Sequence, residues 1–206
     1  RQWFDGSWTT YIDYKRRMEL SETDLLAFDS IMTSKYGRNE DDQKRWFASV
    51  FDIPSLERVA HFDIPYIKIP SAMLTNHELI KAAIDTGIPL ILSTGMSTME
   101  EVAEAVDLVP YNHELILMQC TATYPAADHE LDLGVIWTYE EEISCYRHCD
   151  IGFSSHSPSP YPACYAALMG AEMVEHHFTL DRTMQGSDHA ASLEPAGLKL
   201  LCREIK

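Results

Sequence analysis

The chain has 206 residues, of which 46% are hydrophobic, 32 are acidic and 16 are basic, giving a formal net charge of −16. This charge repels nucleic acids and anionic membrane surfaces, no basic cluster reverses it locally, and no apolar stretch approaches the roughly 20 residues of a membrane-spanning helix. We therefore expect no nucleic-acid or membrane partner. Five cysteines without paired spacing indicate reduced thiols, so we expect a cytoplasmic protein.

Short apolar, β-branched runs alternate with helical patterns along the chain. In chain order, we predict a helix at 21–35, strand 46–51, helix 54–61, strand 66–69, a helix from the capping box Thr75-Asn76-His77-Glu78, strand 89–93, a helix from the capping box Ser97-Thr98-Met99-Glu100, strand 114–120, strand 151–154, helix 161–170, strand 172–178 and helix 195–206. The strands recur about every 20 to 35 residues, which is typical of β-α units around a parallel sheet. We therefore predict one α/β domain.

Two architectures accommodate evenly spaced parallel strands, namely an open doubly wound sheet and a barrel. The sequence has neither the Gly-x-Gly-x-x-Gly turn that often marks the open sheet nor a Gly-x-x-x-x-Gly-Lys phosphate loop. A barrel has eight strands, whereas six are visible here. The pattern alone leaves both architectures open.

Polar residues follow almost every predicted strand, where parallel α/β proteins place their sites. Lys68 and Ser71 follow the second strand, Ser93 the third, and His156 and His177 the fifth and sixth. A lysine, hydroxyls and two histidines would then converge on one rim, and this set suits an anionic ligand together with a metal ion.

Each of these residues also has a purely structural interpretation. Lys68 would equally well end its strand in solvent, and the turn 93–95 would simply cap the next helix. His156 or His177 alone would more often be a hydrogen-bonded structural residue than a ligand, but two such positions make a metal site more credible. His176 and His177 point to opposite faces of a strand, so one of them should be structural. A metal box at Cys145 and Cys149 is disfavoured because both lie in a predicted helix without a second ligand pair.

Five of these strand-end motifs, in this order, resemble the sialic acid synthase family, the phosphoenolpyruvate-condensing enzymes that make nonulosonic acids. The motifs are Lys68-Ile69-Pro70-Ser71, Ile91-Leu92-Ser93-Thr94-Gly95-Met96, Cys120-Thr121-Ala122-Thr123-Tyr124-Pro125, Gly152-Phe153-Ser154-Ser155-His156 and Glu175-His176-His177-Phe178-Thr179-Leu180-Asp181-Arg182. The resemblance implies a TIM barrel, often followed in the family by an antifreeze-like domain within a homodimer. By this resemblance residues 1–206 are a partial barrel domain holding the third to eighth strands, without the first two strands and without the C-terminal domain.

The resemblance also implies a reaction and a set of site residues. Phosphoenolpyruvate would condense with the open-chain aldehyde of an N-acyl hexosamine such as N-acetylmannosamine, releasing phosphate. His156 and His177 would hold a divalent ion, Mn²⁺ or Mg²⁺, and with Lys68 they would be the catalytic residues. Lys68, Ser71, Ser93 and Ser154 match the family's phosphoenolpyruvate contacts, and Tyr124 and Asp188 match its sugar contacts.

Several positions depart from the family pattern. Met73 stands where many members carry an acid, Ala122 where they carry asparagine, Ser155 where aspartate is common, and Val50 where threonine is usual. We therefore expect a pocket that has lost a carboxylate and an amide, and a more apolar aminosugar is at least as good a candidate as N-acetylmannosamine. Two alternatives remain: a phosphoenolpyruvate-dependent 3-deoxy sugar-acid synthase acting on a phosphorylated sugar, and a non-catalytic barrel fragment.

Overall fold

The computed structural model describes residues 8–36 and 46–206, and within them six parallel strands form one sheet. The strands are β1 (Ala48–Ser49), β2 (Ile67–Ile69), β3 (Leu90–Ser93), β4 (Leu115–Cys120), β5 (Asp150–Ser155) and β6 (Met173–His176). They lie side by side in chain order, as the wall of a barrel does, whereas a doubly wound sheet reverses its order at a switch point. The fold is therefore a six-stranded α/β half-barrel. The predicted domain also includes residues 1–7 and 37–45, which lie outside the described residues.

The described helices are α1 (Tyr11–Met18), α2 (Glu22–Tyr36), α3 (Ile53–Val59), α4 (His77–Asp85), α5 (Met99–Asp107), α6 (Val135–Tyr139), α7 (Tyr161–Leu168) and α8 (Pro195–Glu204). A π-helical turn, Glu140–Ser144, extends α6, and 3₁₀ turns lie at Ser71–Met73, Asp128–Glu130 and His189–Ala191. The helices predicted from the sequence are present except the one around Cys145 and Cys149, and α1 and α6 are additional. None of the described helices combines the length and apolar character that a membrane crossing requires.

The first strand is much shorter than predicted. We expected pairing over residues 46–51, but β1 pairs with β2 only at Ala48 and Ser49. Trp46 instead packs edge-on against the rings of Phe28 and Phe62, and its indole Nε1 donates to Asp29 Oδ1 at 3.0 Å. The apolar run thus predicted burial correctly, but part of that burial comes from helix packing.

Two helices begin one residue later than their predicted capping boxes. Asn76 caps α4, because its Oδ1 accepts the backbone N–H of Leu79 at 3.1 Å. Thr98 and Glu101 form the capping box of α5. Ser97 has the same spacing to an acid, but its N–H is already bonded to the Thr94 carbonyl in the turn after β3. The turn after β3 therefore makes Thr98, and not Ser97, the N-cap of α5.

The predicted helix around Cys145 and Cys149 is wrong. The π-helical turn ends at Ser144, directly before Cys145, and Cys149 immediately precedes β5. All five cysteines are free thiols, as expected, and Cys149 is buried. Between the two cysteines, the Arg147 guanidinium donates to the carbonyls of Pro110, Tyr111, His113 and His148. This segment therefore holds loops together at the amino ends of the strands.

The sheet has two differently packed faces. A large apolar core fills the space between the strands and the outer helices. A smaller cluster of Ile91, Ile116 and Met118 lies on the other face, the one that a barrel encloses. Because side chains alternate along a strand, the residues two positions beyond Ile91 and Met118, Ser93 and Cys120, continue this inner face towards the carboxyl ends of the strands. The inner face is thus apolar along the middle of β3 and β4 and becomes polar at their carboxyl ends.

Candidate functional site

An open cavity of about 540 Å³ lies at the carboxyl ends of the strands. All of the site residues predicted from the sequence line it: Lys68, Ser71, Ser93, Tyr124, Ser154, His156, His177 and Asp188. They lie within or after strands β2 to β6, so the parallel sheet brings together residues up to 120 positions apart in the sequence. The predicted set is therefore one constellation in space.

Lys68 is buried in this cavity, with 8% of its surface exposed, so the interpretation that it ends its strand in solvent is wrong. Its ammonium forms an ion pair with Glu175, and the Ser154 hydroxyl donates to the same carboxylate oxygen at 2.8 Å. Burial alone would raise the pKa of Glu175, but the Lys68 charge and these hydrogen bonds outweigh it and lower the pKa. Glu175 is therefore an anion at neutral pH.

Glu175 lies in one of the five motifs described above, but we predicted no role for it. One signal was available: Glu175 and His177 are two residues apart in the predicted strand 172–178, and this spacing would place them on one face. The ion pair also means that the charge of Lys68 is balanced by Glu175.

His156 is held in a defined orientation. Its Nδ1 lies 2.6 Å from the Thr121 carbonyl oxygen, which can only accept, so Nδ1 carries a proton and Nε2 keeps its lone pair. The Tyr124 ring stacks on the imidazole with ring centroids 3.8 Å apart. Burial lowers the pKa of His156, although the Thr121 hydrogen bond opposes this effect, and the neutral form is favoured.

The second predicted ligand, His177, lies close to the first. The imidazole centroids of His156 and His177 are 5.2 Å apart. The neighbouring residue, His176, instead places its ring nitrogens 3.0 Å from the His177 carbonyl and 3.4 Å from the Ser159 carbonyl. His176 is thus engaged with the backbone, and His177 is the member of the pair that faces His156.

The donor set fits an open metal site with two protein ligands. Burial and the Thr121 hydrogen bond keep a neutral nitrogen of His156 available, as metal binding requires. No group of three or more His, Cys, Asp or Glu ligands occurs among the described residues, so a closed structural site of such ligands is absent from that part of the chain. Imidazole nitrogens suit transition metals better than Mg²⁺, which prefers oxygen ligands.

Two hydroxyl groups lie at the base of the cavity. The Ser71 hydroxyl oxygen accepts the backbone N–H of Gly95 at 3.0 Å. The Ser93 hydroxyl is buried and has no hydrogen-bond partner among the described residues. An unpaired buried hydroxyl costs free energy unless a ligand or water satisfies it. Ser93 is therefore suited to contact a polar ligand in this cavity.

Gly95 leaves no room for a side chain, which gives a first testable prediction. A Cβ atom there would lie 2.9 Å from Ser71 Oγ and 3.3 Å from the Cys120 carbonyl oxygen. We expect Gly95→Ala to displace Ser71, to destabilise the fold by about 1–3 kcal/mol and to lower any phosphoenolpyruvate turnover about tenfold or more. Urea unfolding and a phosphate-release assay would measure the two effects.

Gly197→Ala is the matched control for this prediction. Gly197 lies in helix α8, and a Cβ atom there would be 3.2 Å from Cδ2 of the buried Leu193 side chain, with no backbone or polar atom from other parts of the described chain any closer. We expect unchanged turnover and a stability change between zero and a gain of about 1 kcal/mol. Wild-type stability and turnover in Gly95→Ala would contradict our description of the Ser71 turn.

The cavity lining also includes apolar residues. Phe51, Ala72, Met96 and Ala122 line the cavity, together with Tyr124 and Asp188. Burial raises the pKa of Tyr124 to about 12, so the phenol is protonated. Met73, which we expected to mark a lost carboxylate in the pocket, packs against the main core instead.

The chain is similar in sequence to known proteins. The sequence matches the NeuB family over residues 5–206. N-acetylneuraminate-9-phosphate synthase of Drosophila melanogaster is 34% identical over 204 residues, covering 98% of this chain and 52% of the relative. N,N'-diacetyllegionaminic acid synthase of Campylobacter jejuni is 33% identical over 165 residues, covering 78% of this chain and 48% of the relative.

A solved structure is similar in fold as well. The crystal structure of N-acetylneuraminic acid (sialic acid) synthetase from Leptospira borgpetersenii, in complex with citrate, superimposes with a TM-score of 0.79 at 30% identity. The match covers 92% of this chain and 63% of that chain. The chain spans about half the length of the two curated relatives, so their whole-protein activities are not carried over by the match alone.

Proposed function

The chain belongs to the NeuB family, and from that premise we propose that the protein condenses phosphoenolpyruvate with the open-chain aldehyde of an N-acyl hexosamine to form a nonulosonic acid. In this reaction C3 of phosphoenolpyruvate bonds to the aldehyde carbon, water adds to C2, and phosphate leaves. The observation that carries the proposal is the convergence of all the predicted site residues on one cavity. The family relatives support the general reaction.

Phosphoenolpyruvate is an anion with a carboxylate and a phosphate, and it requires fixed donors. We assign it to the side of the cavity that holds Lys68, Ser71, Ser93 and Ser154. The unpaired hydroxyl of Ser93 and the buried ammonium of Lys68 support this assignment. Donors fixed by a folded strand stabilise developing charge without having to reorganise during the reaction.

His156 and His177 would hold a divalent metal ion beside these donors, and of the two candidate ions their nitrogen donors favour Mn²⁺ over Mg²⁺. When bound, the metal would act as a Lewis acid towards the aldehyde oxygen and lower the pKa of bound water. Thr121 and Tyr124 orient His156 through a hydrogen bond and a stacking contact. These two contacts keep the ligand geometry fixed before substrate arrives.

The aldehyde substrate would occupy the side lined by Tyr124 and Asp188. A protonated phenol and a carboxylate are suited to bind sugar hydroxyl and amide groups. The apolar lining at Phe51, Ala72 and Met96 supports an aminosugar that is less polar than N-acetylmannosamine. The sugar's identity, and the expected homodimer of the complete protein, stay predictions.

A 3-deoxy sugar-acid synthase acting on a phosphorylated sugar is the second candidate. It would have to accommodate a second phosphate group beside phosphoenolpyruvate. Among the described residues that line the cavity, Lys68 is the one lysine or arginine, and Glu175 already balances its charge. This charge distribution favours an unphosphorylated aldehyde.

A phosphate-release assay on the complete gene product carrying this sequence tests the proposal. We expect phosphate release only when phosphoenolpyruvate, an unphosphorylated N-acyl hexosamine and Mn²⁺ are all present, and loss of release after chelation. Release with a phosphorylated sugar that has no N-acyl group, and not with an N-acyl hexosamine, would favour the second candidate. No release with any aminosugar would reject the proposal and leave the non-catalytic alternative.

A further inference from the structure

Glu175 connects three strands across the cavity through a single carboxylate oxygen. Its Oε1 pairs with the ammonium of Lys68, which belongs to β2, and accepts the hydroxyl of Ser154, which belongs to β5. Glu175 itself lies on β6, so the cluster reaches from one side of the cavity to the other. The Lys68 side chain is 10% exposed and that of Glu175 is 31% exposed, so solvent reaches the pair mainly from the cavity.

We propose that Glu175 is a positioning residue for the phosphoenolpyruvate donors, a role that rests on the proposed function above. The ammonium of lysine lies at the end of a flexible four-carbon chain and has no preferred direction of its own. A carboxylate from another strand can fix that direction, just as hydrogen-bond partners orient the side chains that bind a metal. The same oxygen orients the Ser154 hydroxyl, so one residue aligns two donors at once.

Glu175 would also compete with phosphoenolpyruvate for the Lys68 ammonium. An incoming phosphate or carboxylate has to share Lys68 with a carboxylate that is already bonded to it. The like charge of Glu175 also opposes the binding of any anion in the cavity. Positioning is therefore obtained at the expense of ground-state affinity, so removing the charge should lower kcat and should also lower KM.

Glu175→Gln in the complete protein tests this prediction. Glutamine keeps the size of the side chain and an oxygen for Ser154 but loses the negative charge. We expect kcat to fall about 10–100-fold, by analogy with the loss of other orienting partners, while KM for phosphoenolpyruvate falls several-fold. Glu175→Asp retains the charge and should restore KM to the wild-type value and part of kcat.

Glu204→Gln provides a matched control, because Glu204 forms an exposed ion pair with Arg203 on helix α8, 2.6 Å apart. We expect wild-type kcat, KM and Tm for this variant. A purely structural role for Glu175 would lower the folded fraction and kcat together and leave KM unchanged, and this outcome would overturn the positioning role.

Calorimetric titration with phosphoenolpyruvate, without an aldehyde, separates this inference from the proposed function. We expect tighter binding to Glu175→Gln than to the wild type. A wild-type protein that binds phosphoenolpyruvate but releases no phosphate would reject the proposed function alone. Equal binding by both proteins, or binding by neither, would reject the role of Glu175 whatever the assay shows.

Discussion

Replacing His156 with alanine is expected to abolish metal binding and to lower phosphate release about 1,000-fold or more. Lewis-acid stabilisation is worth several kcal/mol, and each 1.4 kcal/mol corresponds to about a factor of ten in rate. His177 would remain, but one imidazole is a poor site for a divalent ion without neighbouring ligands. Calorimetric titration with Mn²⁺ and the phosphate-release assay would measure the two losses.

The His156 substitution will also cost stability, because it leaves the partly buried Thr121 carbonyl without its hydrogen-bond partner at 2.6 Å. His113→Ala is the matched control: His113 Nε2 bonds the Ile88 carbonyl at 3.0 Å. We expect both variants to lose about 1–3 kcal/mol, and only His156→Ala to lose Mn²⁺ binding. Wild-type Mn²⁺ affinity in His156→Ala would contradict the metal assignment.

The position of the candidate site followed from two regularities of sequence. Apolar runs at even spacing predicted parallel strands, and polar residues directly after them predicted a shared rim. Lys68, Ser93 and His156 are brought together for that reason. Neither regularity depends on side-chain packing, so both can be recognised before a structure is known.

The features that the sequence did not reveal depend on partners that are distant along the chain. Lys68 and Glu175 are 107 residues apart, and no local pattern links them. Trp46 lies outside β1 and packs on helix α2, where it contacts the Phe28 ring and donates a hydrogen bond to the Asp29 carboxylate. Met73 was expected in the pocket because it stands where many family members carry an acid, but it lies in a 3₁₀ turn and packs against the core.

Lys68→Met should produce the second large effect, a loss of at least about 100-fold in phosphoenolpyruvate turnover, comparable to the removal of a fixed donor from an oxyanion site. Methionine has a similar length but cannot donate a hydrogen bond or carry charge. We also expect a stability loss of about 1–2 kcal/mol, because the partly buried Glu175 carboxylate would keep only Ser154 as a partner. Steady-state kinetics and urea unfolding would measure both losses.

The double variant Lys68→Met/Glu175→Gln separates the two losses. Removing both charges leaves no uncompensated ion, so stability should return to within about 1 kcal/mol of the wild type. Turnover should stay as low as in Lys68→Met, because the donor is still absent. If the two single substitutions instead added in the double variant, Lys68 and Glu175 would not be coupled. A stable but inactive double variant would show that Lys68, although it sits in an ion pair, is required for turnover and not for folding.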